Sequence, residues 1–109
     1  MNKKMLNTTY DFELADGRTV TMTLAFYALY QLRSKNKGLY DRYNKIMASN
    51  AKGNMDELDS ITILYVAYMC AHLGSAEELI NEEDFIMLCG SDRMAVNKAL
   101  EHLTNPKKA

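Results

Sequence analysis

The sequence predicts an α+β fold that is mainly helical, with an N-terminal β-hairpin packed on a bundle of about five helices. Residues 8–24 alternate polar and apolar side chains with a period of two, which is typical of half-buried strands. From Ala25 onward the apolar residues recur at helical spacing. Residues 61–73, ITILYVAYMCAHL, are almost continuously apolar and therefore indicate a buried central helix, which we place at residues 55–73. We expect residues 1–109 to form one domain.

The register of the hairpin follows from its alternation. A two-residue turn would mix apolar and polar side chains on each face of the strand pair. A three-residue turn at residues 15–17 instead pairs Phe12 with Val20 and Tyr10 with Met22, which keeps one face apolar. It also places the glycine of the turn where a left-handed residue is needed. Because a lone hairpin is marginal in water, its apolar face must lie on helices.

Two short helices are expected between the hairpin and the central segment. The first runs from Ala25 to about Lys35, and a break at residues 34–38 follows it. The second runs from about Leu39 to Ser49. The apolar spacing of the first helix is carried by Phe26, Leu29, Tyr30 and Leu32 or Arg33.

The central segment has the flanks of a helix. Acidic residues at positions 56, 57 and 59 precede it and suit the positive end of the helix dipole, and Gly74 follows it. The apolar run is too short to cross a bilayer, which needs roughly 20 apolar residues. It is either wholly buried in one protomer or partly covered by another protomer or partner.

Two more helices are expected after Gly74. Ser75 with Glu78 forms one potential helix start, and Asn81 before three acidic residues forms another, which we favour. This helix ends at Gly90, and Ser91 is expected to cap the last one. The apolar residues of these two helices are Phe85, Ile86, Leu88 and Cys89, then Val96, Ala99, Leu100 and Leu103. Asn105-Pro106 ends the last helix, and residues 1–6 and 105–109 are expected to be loose.

Composition is that of an ordinary globular protein, with 48% hydrophobic and 25% charged residues. The net charge of −1 offers no electrostatic case for nucleic-acid binding. No signal peptide is expected, because polar residues follow the N-terminal lysines directly. Cys70 and Cys89 lie in apolar runs, so we expect them to be reduced core residues of an intracellular protein. We expect neither a membrane nor a nucleic acid as a partner.

The sequence offers no recognisable catalytic, cofactor or metal site. His72 and His102 are the only histidines, and neither has a nucleophile at a familiar spacing. His72 and Cys70 would point about 200° apart on a helix. The consecutive acids at residues 82–84 are ordinary for a helix start. We therefore expect a protein that is not an enzyme and has no cofactor.

Residues 85–100 have the spacing of a helix-turn-helix. The second helix of that pair would offer Arg93, Asn97 and Lys98 to DNA. The helix before it is strongly acidic and would lie near the phosphates at an electrostatic cost. A corner between two packed helices is therefore the preferred interpretation.

Four tyrosines lie on the two helices before the central one. Tyr27 with Tyr30, and Tyr40 with Tyr43, each share a helix face at a spacing of three residues. Together with Met47 they are the predicted partner-binding residues, because tyrosine is enriched at interface centres and methionine adapts to irregular surfaces. The alternative is that they cover the hairpin and fill the edge of the core.

The order of these elements resembles that of the tail assembly chaperones of long-tailed, siphovirus-like bacteriophages and prophages. The resemblance spans nearly the whole chain. It is carried by the YDFELADGRTVTMTL hairpin, the two tyrosine-rich helices, the LYVAYMCA core and the acidic EEDFIMLCGSD segment. It implies a small cytoplasmic protein of the infected or lysogenic bacterial host that is absent from the mature virion.

The same resemblance implies the partners. A chaperone of this family binds the tape measure protein and recruits tail tube subunits to it, and self-association along the client would add avidity. Two other classes remain as alternatives. One is a helix-turn-helix DNA-binding regulator, and the other is a small phage structural or adaptor protein.

Overall fold

The computed structural model describes residues 8–53, 55–75 and 78–105. It has the predicted class, α+β and mainly α, with 63% of these residues in helices and 11% in strands. A two-stranded hairpin is followed by five helices in these ranges. The expected loose ends lie outside the described residues, apart from Asn105.

The hairpin has the predicted register. β1, Thr9–Glu13, and β2, Thr19–Thr23, pair antiparallel, with Tyr10 opposite Met22 and Phe12 opposite Val20. The three-residue turn is closed by the Leu14 N–H, which donates to the Arg18 carbonyl at 2.7 Å. Gly17 has a φ of 93°, so the turn contains the expected left-handed glycine.

The break predicted at residues 34–38 is present but narrower, because only one residue separates the first two helices. α1 is Phe26–Lys35, and α2 is Lys37–Ala51. Asn36 lies between them and its side-chain oxygen accepts a hydrogen bond from the Leu39 N–H. This cap satisfies a free amide of the first turn, so α2 begins two residues earlier than predicted and also extends beyond Ser49.

The central helix is the hub of the fold, as predicted, but it is shorter than residues 55–73. α3 is Glu57–Ala71, preceded by a capping box in which the side chains of Asp56 and Asp59 each accept the other's backbone N–H. Every side chain from Thr62 to Tyr68 is buried. α3 packs against β2 and each of the other four helices. His72 forms its C-cap.

The last two helices begin close to their predicted positions. α4 is Glu82–Cys89 and is capped by Asn81 as expected. α5 is Arg93–Thr104, and its cap is Asp92, so the prediction of Ser91 is wrong. The Asp92 carboxylate reaches the Ala95 N–H at 3.1 Å, three residues on, and a carboxylate also suits the positive helix end better than a hydroxyl.

Two core tyrosines hold the segment before α4 against the hub. The Tyr65 hydroxyl donates to the Ile80 carbonyl at 3.0 Å, and the Ile80 N–H donates to the Tyr68 hydroxyl at 2.9 Å. The Phe85 ring lies 5.3 Å from that of Tyr65 and 5.5 Å from that of Tyr68, centroid to centroid. A segment without regular structure thereby has both backbone groups of one residue satisfied by side chains.

Candidate functional site

The two cysteines are poorly placed for covalent chemistry. Cys70 and Cys89 are free and buried, and burial raises the pKa of their thiols to about 12 and about 11. Such thiols are almost entirely protonated at neutral pH and are poor nucleophiles. No group of three or more His, Cys, Asp or Glu side chains within residues 8–53, 55–75 and 78–105 could hold a metal ion.

α1 and α2 form a groove of about 370 Å³ between them, which we refer to as the aromatic groove. Phe26 is the most exposed of its aromatic walls, at 90% of its full surface, and Tyr30 is 57% exposed. Leu29 is buried and connects the groove to the core. The residues that line it are Phe26, Leu29, Tyr30 and Arg33 from α1, and Tyr40, Tyr43 and Asn44 from α2.

Helical spacing explains why these side chains share the groove. The α1 residues stand at i, i+3, i+4 and i+7, and the α2 residues at i, i+3 and i+4, so each set lies on one face of its helix. Leu32 and Leu39 are buried and anchor the two helices to the core. Tyr43 is half-buried, and desolvation by the core raises the pKa of its hydroxyl.

Arg33 lies between the two helices within the groove. Its guanidinium carbon is 5.6 Å from the ring centroid of Tyr30 and 5.9 Å from that of Tyr40, which are cation–π distances. Among the described residues no carboxylate pairs with it, whereas Arg42 binds Glu82 through two hydrogen bonds of 2.8 and 2.7 Å. Arg33 therefore presents a positive charge on an aromatic surface.

No protein-family model, curated protein or solved structure matches the chain. No helix in the described ranges has both the length and the apolar character that a membrane span requires.

The five predicted partner-binding residues do not all meet in the groove. Tyr30, Tyr40 and Tyr43 line it. Tyr27 is 69% exposed and lies outside it, with its ring 6.1 Å from that of Tyr30. Met47 is half-buried against the core. Their role in partner binding stays a prediction.

Sequence reasoning missed Phe26 and Arg33 as members of this surface. Phe26 lies on the predicted stripe with Leu29 and Tyr30, but at the first turn of α1 this stripe is open to solvent rather than packed on the core. Arg33 could have been found from local charge. Residues 25–53 contain six basic residues and one acidic residue, while residues 55–105 contain two basic and ten acidic residues. The small net charge of the whole chain conceals this separation.

A second depression lies between the hairpin turn and α4. Its volume is about 590 Å³, and its described lining includes Arg18, Asp84 and Met87 but no aromatic side chain. Aromatic and arginine side chains carry most binding energy at protein interfaces. The smaller aromatic groove is therefore the better candidate for a binding site.

The helix-turn-helix interpretation gains little from the geometry. Arg93, Asn97 and Lys98 are all exposed on α5. The Arg93 guanidinium is paired with the Glu57 carboxylate, which offsets its charge. The first turn of α4 carries three acidic residues, which would repel a DNA backbone nearby.

Proposed function

We propose that this protein is a non-catalytic tail assembly chaperone of a long-tailed bacteriophage or prophage, which binds the tape measure protein and recruits tail tube subunits to it. The aromatic groove is the observation that carries this proposal. An exposed surface of rigid aromatic side chains on a folded helical body is typical of a protein-binding site. The resemblance described above supplies the identity of the client.

The groove suits a client that must be held and then released. Tyrosine and phenylalanine offer large contact areas at a low cost in side-chain entropy, because few of their bonds rotate. A groove of about 370 Å³ accepts side chains of a client helix and leaves the rest of that helix outside. Many weak sites along one long client would add avidity while each contact remains reversible.

The proposal includes a place of action. The protein would work in the cytoplasm of the infected or lysogenic host and be absent from the mature virion.

The first test of the proposed partners is capture of tape measure protein and tail tube protein from the same phage by the purified chain. Absence of binding to both would refute the chaperone function.

A pair of variants connects capture to the groove. Tyr30→Ala removes a wall of the groove, and we expect it to weaken capture about tenfold or more, as hot-spot tyrosines do. Met94→Ala removes a large apolar side chain that is 83% exposed on α5, away from the groove, and it should leave capture unchanged. Equal effects of the two variants would show that the groove is not the binding surface.

Two other functions have separable outcomes. The connection of α4 to α5 through residues 90–92 keeps a helix-turn-helix regulator as an alternative, which a salt-dependent DNA mobility shift would support. Detection of the chain in purified virions would instead favour a small structural or adaptor protein.

A further inference from the structure

The aromatic groove lies in the basic part of the chain, and this charge describes the partner it fits. We propose that the groove binds an acidic amphipathic helix, with an apolar side chain of that helix between the aromatic rings and a carboxylate on Arg33. This inference rests on the proposed function, because it names the chemistry of the client segment that the chaperone would hold.

The charge on α1 and α2 is largely unneutralised. Two of the six basic residues in this part of the chain have carboxylate partners, since Lys37 pairs with Asp41 and Arg42 pairs with Glu82. The cations without an ion pair among the described residues are Arg33, Lys35, Lys45 and Lys52. A partner with the opposite charge would be attracted to this surface, and a basic partner would be repelled.

The groove itself combines both requirements of such a partner. Its exposed aromatic members, Phe26 and Tyr30, would remain in contact with water beside a purely acidic peptide. Arg33 stands among them, where a carboxylate would be partly shielded from solvent and its hydrogen bond strengthened. A partner helix that presents one apolar side chain with a carboxylate nearby would cover the aromatic rings and also pair with Arg33.

A single-stranded nucleic acid would match the charge of the groove, but its bases would stack less well on these rings. Such strands bind by stacking their bases on exposed aromatic faces. Here the guanidinium of Arg33 already lies over the rings of Tyr30 and Tyr40. The rings beside the positive charge are therefore less available to a base than to the edge of an aliphatic or aromatic side chain.

The end segments of the chain are weaker occupants, and a second copy is a separate outcome of the test. Residues 1–7 and 106–109 contain four lysines and no acidic residue, so they carry the same sign as the groove. The acidic half of a second copy has the correct sign. Two of its acids, Glu57 and Glu82, are already paired within their own chain.

The test uses the absence of tryptophan from this chain. The probe is a synthetic amphipathic peptide of about 18 residues, or five helical turns, with one Trp on its apolar face and Glu on its polar face. A matched peptide replaces every Glu with Gln. Because only the peptide contains Trp, a blue shift of Trp emission reports its entry into an apolar site. Affinity is measured at low and high salt.

Arg33→Gln is the test variant, and Lys52→Gln is its control with the same change of charge. Lys52 caps the C-terminal end of α2, about 12 Å from Asn44. This exceeds the Debye length of about 8 Å at physiological salt, so the two variants are compared with each other at that salt. We expect Arg33→Gln to weaken binding of the Glu peptide about tenfold and that of the Gln peptide less than about twofold. Lys52→Gln should change either affinity less than about twofold.

Several results would overturn the inference. They are equal affinity for the two peptides, equal loss for both with Arg33→Gln, and no binding of either peptide. Displacement of the peptide by single-stranded DNA would assign the groove to nucleic acid. Self-association that Arg33→Gln abolishes would assign it to a second copy.

Capture of the full-length tape measure protein separates this inference from the proposed function. If the wild-type chain captures it and Arg33→Gln captures it equally well, the chaperone function stands and the acidic partner does not. If the wild-type chain captures neither tape measure nor tube protein, both proposals fail. Circular dichroism should confirm that the Arg33 variant is folded, as expected for a side chain outside the core.

Discussion

Phe85 and Phe26 are the same residue type in opposite environments. Replacing each with alanine therefore measures what burial contributes to the free energy of unfolding. Phe85 is fully buried on α4, with its ring within 5.5 Å of the Tyr65 and Tyr68 ring centroids. Phe26 is 90% exposed on α1. Changing each to Ala removes the same atoms, and only the surroundings differ.

The expected losses of unfolding free energy differ by several kcal/mol. Phe85→Ala should cost about 3–5 kcal/mol, from the lost transfer of the ring out of water and the cavity left beneath the two tyrosines. A small domain has only about 5–15 kcal/mol in total, so this variant should unfold far more easily. Phe26→Ala should stay within about 0.5 kcal/mol of the parent.

Equilibrium unfolding in urea, followed by far-ultraviolet circular dichroism, measures both values. The midpoint should fall for Phe85→Ala while the slope stays constant, which marks a change in stability rather than in the unfolded state. Phe85→Leu keeps an apolar side chain and leaves a smaller cavity, so it should cost less than the alanine and provides a folded variant if the alanine is too unstable. A loss under about 1 kcal/mol for Phe85→Ala, or above about 1.5 kcal/mol for Phe26→Ala, would refute this account of the core.

Three other expectations concern the turn, the thiols and an ion pair. Gly17→Ala should lower the unfolding free energy by about 1–2 kcal/mol in urea titrations, because φ is positive there. No atom crowds the new Cβ, so the loss should be limited to this backbone strain. Cys70 and Cys89 should resist a thiol reagent at pH 8 until the protein unfolds, because their pKa values are about 12 and 11; rapid labelling of the folded chain would contradict their burial. Arg42 lowers the pKa of Glu82 in the folded protein. The stability that this ion pair adds is therefore fully present above the usual carboxyl pKa of 4.5 and is lost as the pH falls through the lowered pKa. Arg42→Gln should therefore cost under about 1 kcal/mol at neutral pH and nothing in strong acid, and a loss independent of pH would be inconsistent with the pair.

Part of the candidate site was visible in the sequence. The spacing of Tyr40 and Tyr43 on one helix face follows from helical geometry, and so does the sharing of a face by Tyr27 and Tyr30. The exclusion of Tyr27 from the groove could not be predicted, because it depends on how α1 rotates about its axis when Leu29 and Leu32 enter the core. Met47 faces the core for a similar reason, because the rotation of α2 about its axis is set by the burial of Leu39 on the same helix.

The sequence by itself determined the elements whose physics is local. The period of two and one turn glycine set the register between Phe12 and Val20, and the continuous apolar run of the central helix required burial on every side. Tertiary structure alone decided which polar groups meet across the chain. Arg33 reaches the Tyr40 ring of the neighbouring helix, and Tyr65 and Tyr68 satisfy the backbone of Ile80, because packing around α3 brings together residues that no local period relates.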